Sequence, residues 1–139
     1  RAWKGQVYAI EKKEDALALL KENRRKFATD NLEIVPGTAP EAMVELPVPT
    51  HAFIGGSSGN MNEIIRLLLD KNPGVRIVIN CITLETVTEA MNAIRDFSLT
   101  DVDIVQLSAA RSKSIGRYHM MMGENPIYII SCSGRGEEI

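Results

Sequence analysis

The most constraining segment of the chain is a short apolar strand that ends in an acid and leads directly into a helix. Residues 7–10 read Val-Tyr-Ala-Ile, Glu11 follows, and a helical pattern opens after Lys12. In α/β folds that bind nucleotides, an acid at this point accepts hydrogen bonds from both ribose hydroxyls of the ligand. By position alone, Glu11 is equally well explained as a solvated acid in the first turn of a helix, where the helix dipole favours negative charge.

Two further predicted strands end in loops of small residues. These loop residues are Gly37, Thr38 and Ala39 after the second strand, and Gly55, Gly56, Ser57 and Ser58 after the third. Glycine lets a ligand approach the backbone closely, and the N-terminus of a following helix offers free N–H groups to a carboxylate. The alternatives are a plain turn after Pro36 and a flexible turn that caps the next helix.

Strands and helices alternate along the chain. The predicted strands are 7–10, 32–35, 52–54, 76–81, 102–107 and 127–132, and the predicted helices begin near residues 13, 40, 61 and 84. Helices between the early strands imply right-handed crossovers and a parallel sheet, whereas the last two strands, which lack a helix between them, imply an antiparallel pair. Residues 108–125, which are polar, basic and rich in glycine and methionine, are predicted to form a long hairpin.

Composition narrows the class of protein. The chain has 139 residues, 45% hydrophobic and 24% charged, which suits one globular domain over residues 1–139. Its net charge of −2 gives no sign of a nucleic-acid or membrane partner, and neither a signal peptide nor a run of about 20 apolar residues is visible. We therefore expect a cytoplasmic protein with Cys81 and Cys132 as buried free thiols. The histidine and cysteine spacing predicts no metal site.

Polar groups at the end of the buried strand 76–81 are further candidates. Asn80 is expected to face a crevice at the edge of the sheet, and Thr83 is explained equally well as the N-cap of the next helix. In the predicted hairpin, Arg111 and Arg117 belong to a basic cluster that would suit an anionic ligand, although a solvated loop explains each arginine singly. For the methionines at 120–122, core filling is favoured over packing on a ligand or partner.

Several of these segments together resemble a known family. The matching stretches are GQVYAIEK at 5–12, NLEIVPGTAP at 31–40, FIGGSSG at 53–59 and RIVINCITLET at 76–86. In this order and at these spacings, the chain resembles the decarboxylating precorrin and cobalt-precorrin C-15 methyltransferases of cobalamin biosynthesis, along nearly its whole length. The resemblance implies a Rossmann-like class I methyltransferase fold, a three-layer α/β sandwich whose final strand is inserted antiparallel.

The resemblance also implies a reaction and a set of site residues. S-adenosyl-L-methionine would be the cofactor, and a tetrapyrrole would be methylated at C-15 and decarboxylated at an acetate side chain. The implied cofactor-binding residues are Glu11, Lys12, Gly37, Thr38, Ala39, Gly55 and Gly56, and the implied substrate-binding residues are Ser57, Ser58, Asn80, Thr83, Arg111 and Arg117. Because the methyl donor is already activated, we expect no protein nucleophile or catalytic base.

One departure from the family is large. Its members begin with a strand and a glycine-rich loop that would precede Arg1, so we expect a domain truncated at its N-terminus and a central strand missing from the sheet. We also expect a homo-oligomer, or fusion to or pairing with a second precorrin methyltransferase domain. A non-catalytic binding module of the same fold and a methyltransferase with another substrate stay open, as does the presence of cobalt in the substrate.

Overall fold

The computed structural model describes residues 5–56 and 59–135 of the chain. The chain divides into two compact units, one ending at Pro47 and the other beginning at Val48, and each is described by itself. Among the described residues, no helix is long and apolar enough to cross a membrane. The predictions of a single domain and of an N-terminal truncation stay predictions.

The first unit is a β-α-β motif followed by a short helix. Its elements are β1 (Val7–Glu11), α1 (Glu14–Lys26), β2 (Leu32–Pro36) and a 3₁₀ helix (Glu41–Met43). β1 and β2 pair in parallel, as the helix between them predicts. Acids at the start of α1 and a basic residue at each of its last three positions complement the helix dipole.

The second unit contains a four-stranded sheet, two helices and a hairpin. Its elements are β3 (His51–Ile54), α2 (Met61–Lys71), β4 (Arg76–Cys81), α3 (Leu84–Asp96), β5 (Thr100–Leu107), β6 (Ala110–Ile115), β7 (Tyr118–Gly123) and β8 (Ile127–Ser133). The strand order is β3-β4-β8-β5, with β3 parallel to β4 and β8 antiparallel to both its neighbours. The prediction of an antiparallel final strand within a mostly parallel sheet is confirmed.

The core of the second unit lies on one face of this sheet. Alternate residues of β4 and β8 are fully buried, and they are joined by one face of α2; the buried side chains include Ile77, Ile79, Cys81, Ile130, Cys132, Met61, Ile65 and Leu68. Both cysteines are free, as predicted, and burial raises the pKa of each thiol. On the opposite face, the side chain of Phe53 is 70% exposed.

The hairpin of β6 and β7 corrects one prediction. Met120, Met121 and Met122 are 53%, 65% and 45% exposed, so they do not fill the core of this chain. Their apolar run resembles a buried strand in sequence, but no layer of the described structure covers either face of the hairpin.

Candidate functional site

In the first unit, the carboxyl ends of two parallel strands bring Glu11 and Gly37 together. The register of β1 and β2 sets Glu11 opposite Pro36. The next residue, Gly37, donates its backbone N–H to the carbonyl oxygen of Glu11 over 3.0 Å. Ligands of open α/β sheets bind outside this end of the strands, so the two loops predicted to bind a cofactor lie side by side where such a ligand would sit.

The carboxylate of Glu11 is oriented by backbone groups. Its Oε1 accepts hydrogen bonds from the N–H groups of Lys12 and Lys13, each over 2.9 Å. These bonds, that from Lys13 foremost, lower the pKa of Glu11, so the group is ionised at neutral pH. None of the described residues donates a hydrogen bond to Oε2, so the lone pairs of this oxygen can accept a bond from a hydroxyl group. Glu11 can therefore cap the chain after β1 through Oε1 and bind a ligand through Oε2.

The loop after β2 needs glycine at its first position. Gly37 has a φ of +146°, and a Cβ on it would lie 3.0 Å from the Cβ of Ala42. The carbonyl oxygen of Thr38 accepts a bond of 2.9 Å from the N–H of Ala42, which holds the loop against the 3₁₀ helix. The Thr38 side chain is exposed, whereas Ala39 is half-buried.

In the second unit, the register of β3 and β4 brings Gly55 and Asn80 to the same edge. Ile54 lies opposite Ile79, and Gly55 and Asn80 are the residues that follow them. A Cβ added to Gly56 would have no described atom within 4 Å, and the φ of this glycine is ordinary. Neither packing nor backbone strain in the described structure therefore requires glycine there, which leaves close approach of a ligand as a reason for it. The predicted site residues Ser57 and Ser58 lie outside the described residues.

Asn80 carries an unusual polar atom. Its Oδ1 is buried and has no hydrogen-bond partner among the described residues. A buried amide oxygen without a partner costs free energy, about 1–3 kcal/mol, unless another group supplies a donor.

Thr83, three residues along, accepts a bond of 3.1 Å from the N–H of Thr86 and is the N-cap of α3, as predicted. Its hydroxyl also bonds that of Thr86 at 2.9 Å.

The structure separates the two arginines of the predicted substrate site. Arg111 lies near the base of the hairpin, where its Nε is 4.0 Å from a carboxylate oxygen of Glu124. Arg117 lies in the turn at the tip, with its guanidinium 5.5 Å from the ring of its neighbour Tyr118. A strand as long as β6 spans about 20 Å, which separates Arg117 at the tip of the hairpin from Arg111 near its base. Glu124 is not among the predicted site residues, although its charge is opposite to that of Arg111 near the other end of the polar segment.

Comparison with known proteins places this arrangement in a family. Residues 1–133 match the sequence profile described as "Precorrin methyltransferase domain". The chain belongs to the precorrin methyltransferase domain family. This match confirms the resemblance to the precorrin methyltransferases that the sequence motifs indicate.

Three relatives illustrate the similarity. The chain is 39% identical over 126 residues to a probable cobalt-precorrin-6B C(15)-methyltransferase (decarboxylating) of Methanothermobacter thermautotrophicus, a match of 89% of this chain and 65% of that protein. Its fold superposes on a precorrin-8W decarboxylase of Methanobacterium thermoautotrophicum with a TM-score of 0.82 at 38% identity, covering 91% and 69% of the two chains. A precorrin-6y C5,15-methyltransferase of Geobacter metallireducens gives a TM-score of 0.83 at 33% identity, covering 93% and 68%.

These comparisons confirm the predicted fold class. The precorrin methyltransferase domain of this chain has the Rossmann-like fold of class I methyltransferases. The chain spans about two thirds of the length of the curated relatives that it matches, for example 65% of the Methanothermobacter protein.

Proposed function

We propose that this domain methylates C-15 of a precorrin or cobalt-precorrin and decarboxylates an acetate side chain, using S-adenosyl-L-methionine, in cobalamin biosynthesis. The observation that carries the proposal is the family match over residues 1–133, together with relatives named for this reaction. The arrangement of polar groups at the carboxyl ends of the strands supports it.

The cofactor would be held first by the first unit. Oε2 of the ionised Glu11 carboxylate, which has no partner among the described residues, would accept a ribose hydroxyl, and Oε1 is fixed by the N–H groups of Lys12 and Lys13. Charge-assisted hydrogen bonds of this kind are stronger than neutral ones. The backbone of Gly37, Thr38 and Ala39, bonded to β1 through Gly37, would lie along the edge of the adenine.

The second unit offers candidate ligand-binding groups of its own, at the carboxyl ends of β3 and β4. Gly55 and Gly56 leave room for the methionine portion of the cofactor and for the macrocycle. The Oδ1 of Asn80, which no described residue hydrogen-bonds, would accept an N–H or O–H of either ligand. Arg111, 86% exposed in its side chain, would meet a carboxylate of the macrocycle.

Bound S-adenosyl-L-methionine supplies a methyl group already activated by its sulfonium, so the domain needs no nucleophile of its own. What the residues contribute is position and exclusion of water, because the macrocycle carbon must approach the methyl carbon in line. In the decarboxylation, the C–C bond to the carboxylate breaks, CO₂ leaves, and the electron pair enters the conjugated macrocycle before a proton replaces it. The side chains then have only to orient the carboxylate.

We propose further that another strand and a glycine-rich loop, which the family resemblance implies, take part in the cofactor site. β1 and β3 each have one neighbour among the described strands, β2 and β4 respectively. An open strand edge is a template for another strand.

The experiment is a single-turnover assay on two forms of the protein. The 139-residue chain and a version extended by the residues encoded upstream are each incubated with S-adenosyl-L-methionine and a cobalt-precorrin-6B or its metal-free counterpart. Mass spectrometry should find a product that has gained one methyl group and lost CO₂ with the extended form. Methylation of neither substrate by either form would overturn the reaction, and full activity of the 139-residue chain would overturn only the need for a further strand and loop.

A further inference from the structure

Asn80 places a hydrogen-bond acceptor on an apolar part of the sheet. Side chains alternate between the two faces of a strand, so Asn80 shares its face with Val78 and with Ile129, its register partner on β8. All three residues are half-buried. The Oδ1 atom of Asn80 is buried, and none of the described residues donates a hydrogen bond to it. In such apolar surroundings, a hydrogen bond to this oxygen is stronger than it would be in water.

A ligand is the most direct explanation of this acceptor. An unpaired buried oxygen lowers the stability of the fold, and in native proteins such atoms occur at catalytic sites. Asn80 lies at the carboxyl end of β4, in the register position beside Gly55. Because the residue as a whole is only half-buried and the terminal torsion of an amide is soft, Oδ1 can turn to meet a bound molecule.

The chemistry of the two ligands limits which of their groups Oδ1 can bind. The acetate side chains of the macrocycle are ionised at neutral pH and can only accept hydrogen bonds, as Oδ1 does. The ribose hydroxyls of the cofactor would be bound by Glu11. The groups that remain are the ammonium of the cofactor and the ring nitrogens of the macrocycle.

The surroundings of Asn80 favour the ring nitrogens. An ammonium group has three N–H donors, and a single acceptor beside Val78 and Ile129 would leave charge and donors buried without partners, which is unfavourable. The faces of a conjugated macrocycle are apolar, so they can pack on these two side chains while a ring nitrogen meets Oδ1.

Methyl transfer moves a positive charge toward these nitrogens. The bond between sulfur and the methyl carbon breaks, its electron pair stays on sulfur, and C-15 supplies the pair for the new C–C bond. The cofactor leaves as a neutral thioether, and the macrocycle gains one positive charge, shared by the nitrogen conjugated with C-15. An acceptor at this nitrogen is bound more tightly in the transition state than in the ground state, which is the condition for accelerating the step.

We propose that Asn80 is a catalytic residue whose Oδ1 stabilises the positive charge that the macrocycle acquires during methylation; this role rests on the proposed function. On a metal-free ring, Oδ1 accepts the N–H of the nitrogen conjugated with C-15. On a cobalt-containing ring this proton is replaced by the metal, so only the dipole of the amide acts. The contribution of Asn80 is therefore larger for the metal-free substrate.

The first measurement needs neither cofactor nor substrate. Asn80→Leu, of similar size, removes the unpaired oxygen from the 139-residue chain, so its urea midpoint should rise by about 0.5 M or more. Asn80→Val covers the case in which leucine does not fit. Asn92→Leu is the control: Asn92 is exposed and its Oδ1 accepts a hydrogen bond from Arg95, so the midpoint should not rise. Midpoints at or below that of the wild type for both Asn80 variants would overturn the proposal, because Oδ1 would already have a partner.

The second measurement is the single-turnover rate of methylation in the N-terminally extended form, at saturating cofactor and metal-free substrate. Asn80→Leu should lower this rate about 100-fold, as loss of one stabilising group in a catalytic site does. Asn80→Asp, which keeps an acceptor oxygen in the same place, should stay within about tenfold of the wild type, and Asn92→Leu should match it. With the cobalt-containing substrate, the loss in Asn80→Leu should be smaller.

The outcomes separate this role from the reaction itself. A wild type that methylates neither substrate would overturn the proposed function and the role of Asn80 with it. An active wild type together with an equally active Asn80→Leu would overturn the role alone. Calorimetry with S-adenosyl-L-homocysteine, which keeps the ammonium group, should give the same affinity for the wild type and Asn80→Leu. Weaker binding by the variant would show that Oδ1 serves the cofactor, which would also overturn the proposal.

Discussion

Gly37 donates its backbone N–H to the carbonyl oxygen of Glu11 over 3.0 Å, which ties the loop after β2 to the end of β1. The bond exists because parallel register sets the two strand ends side by side. It places the acid predicted to bind a ribose next to the loop predicted to lie along an adenine. The φ of Gly37, +146°, is what lets the chain turn away directly after this bond.

Replacing Gly37 by alanine should therefore destabilise the protein. The new Cβ would require an unfavourable φ and would lie 3.0 Å from the Cβ of Ala42. We expect a loss of about 1–2 kcal/mol in the free energy of unfolding, measured from urea midpoints. Gly56→Ala is the matched control, because no described atom lies within 4 Å of its Cβ position; its free energy of unfolding should change by less than about 0.5 kcal/mol. Equal effects of the two substitutions would contradict the account.

The lowered pKa of Glu11 predicts a pH dependence of stability. The N–H groups of Lys13 and Lys12 favour the ionised carboxylate in the folded state, so its pKa is below the unfolded value, about 4.3. A group with a lowered folded pKa stabilises the fold above the unfolded pKa, and this contribution is lost as pH falls through the folded value. The difference in stability between wild type and Glu11→Gln should be constant from pH 5 to 8 and shrink below about pH 4. A stability difference that grows toward acid pH would show that folding does not lower the pKa of Glu11.

Thr83 is expected to act on stability through α3. Its side chain is the N-cap acceptor for the N–H of Thr86, and Thr83→Ala removes this acceptor. The cost should be about 1 kcal/mol, seen as a melting temperature lower by about 3 °C. Thr83→Ser should keep the cap. Thr88→Ala is the control: the Thr88 hydroxyl donates back to the carbonyl oxygen of Leu84 within the helix, and alanine there should be neutral or slightly stabilising.

The structure shows that close packing requires glycine at position 134. A Cβ on this buried residue would lie 1.9 Å from the carbonyl oxygen of Pro73 and 2.7 Å from Cδ2 of Leu69. Gly134→Ala should therefore cost about 1–3 kcal/mol, because the turn after α2 must move. Gly123→Ala, with open space around its Cβ position in the described structure, serves as the control in the same chemical denaturation series. A stable Gly134→Ala variant would mean that the end of β8 packs differently.

Much of this fold could be predicted from the sequence because its signals are local. The buried strand Arg76–Cys81 has the predicted bounds, since a β-rich apolar run lies between a Pro-Gly turn and an N-cap. Glu11 could be predicted as the ribose-binding acid because an acid directly after a strand and before a helix is itself a local pattern. Its neighbour Gly37 was found in the same way, although the bond between them depends on register.

What could not be predicted depends on residues that are distant in sequence. Met120, Met121 and Met122 have the composition of a core strand, but exposure depends on whether another layer covers them, and the described structure provides none. In the sequence, Gly134 resembles an ordinary turn glycine. The need for glycine there comes from its contact with Pro73, which is distant along the chain. The separation of Arg117 from Arg111 follows from their places at the tip and the base of one hairpin and not from any motif.

The most direct test of the central claim is the affinity of this domain for S-adenosyl-L-homocysteine, the product of the cofactor, measured by titration calorimetry. Wild type, Glu11→Gln and the matched control Glu14→Gln, an acid in the first turn of α1, would be compared in the N-terminally extended form. We expect Glu11→Gln to weaken binding about 10- to 100-fold, because charge-assisted hydrogen bonds to the ribose are lost, and Glu14→Gln to bind like the wild type. Wild-type affinity in the Glu11→Gln variant, or no binding by the wild type itself, would contradict it.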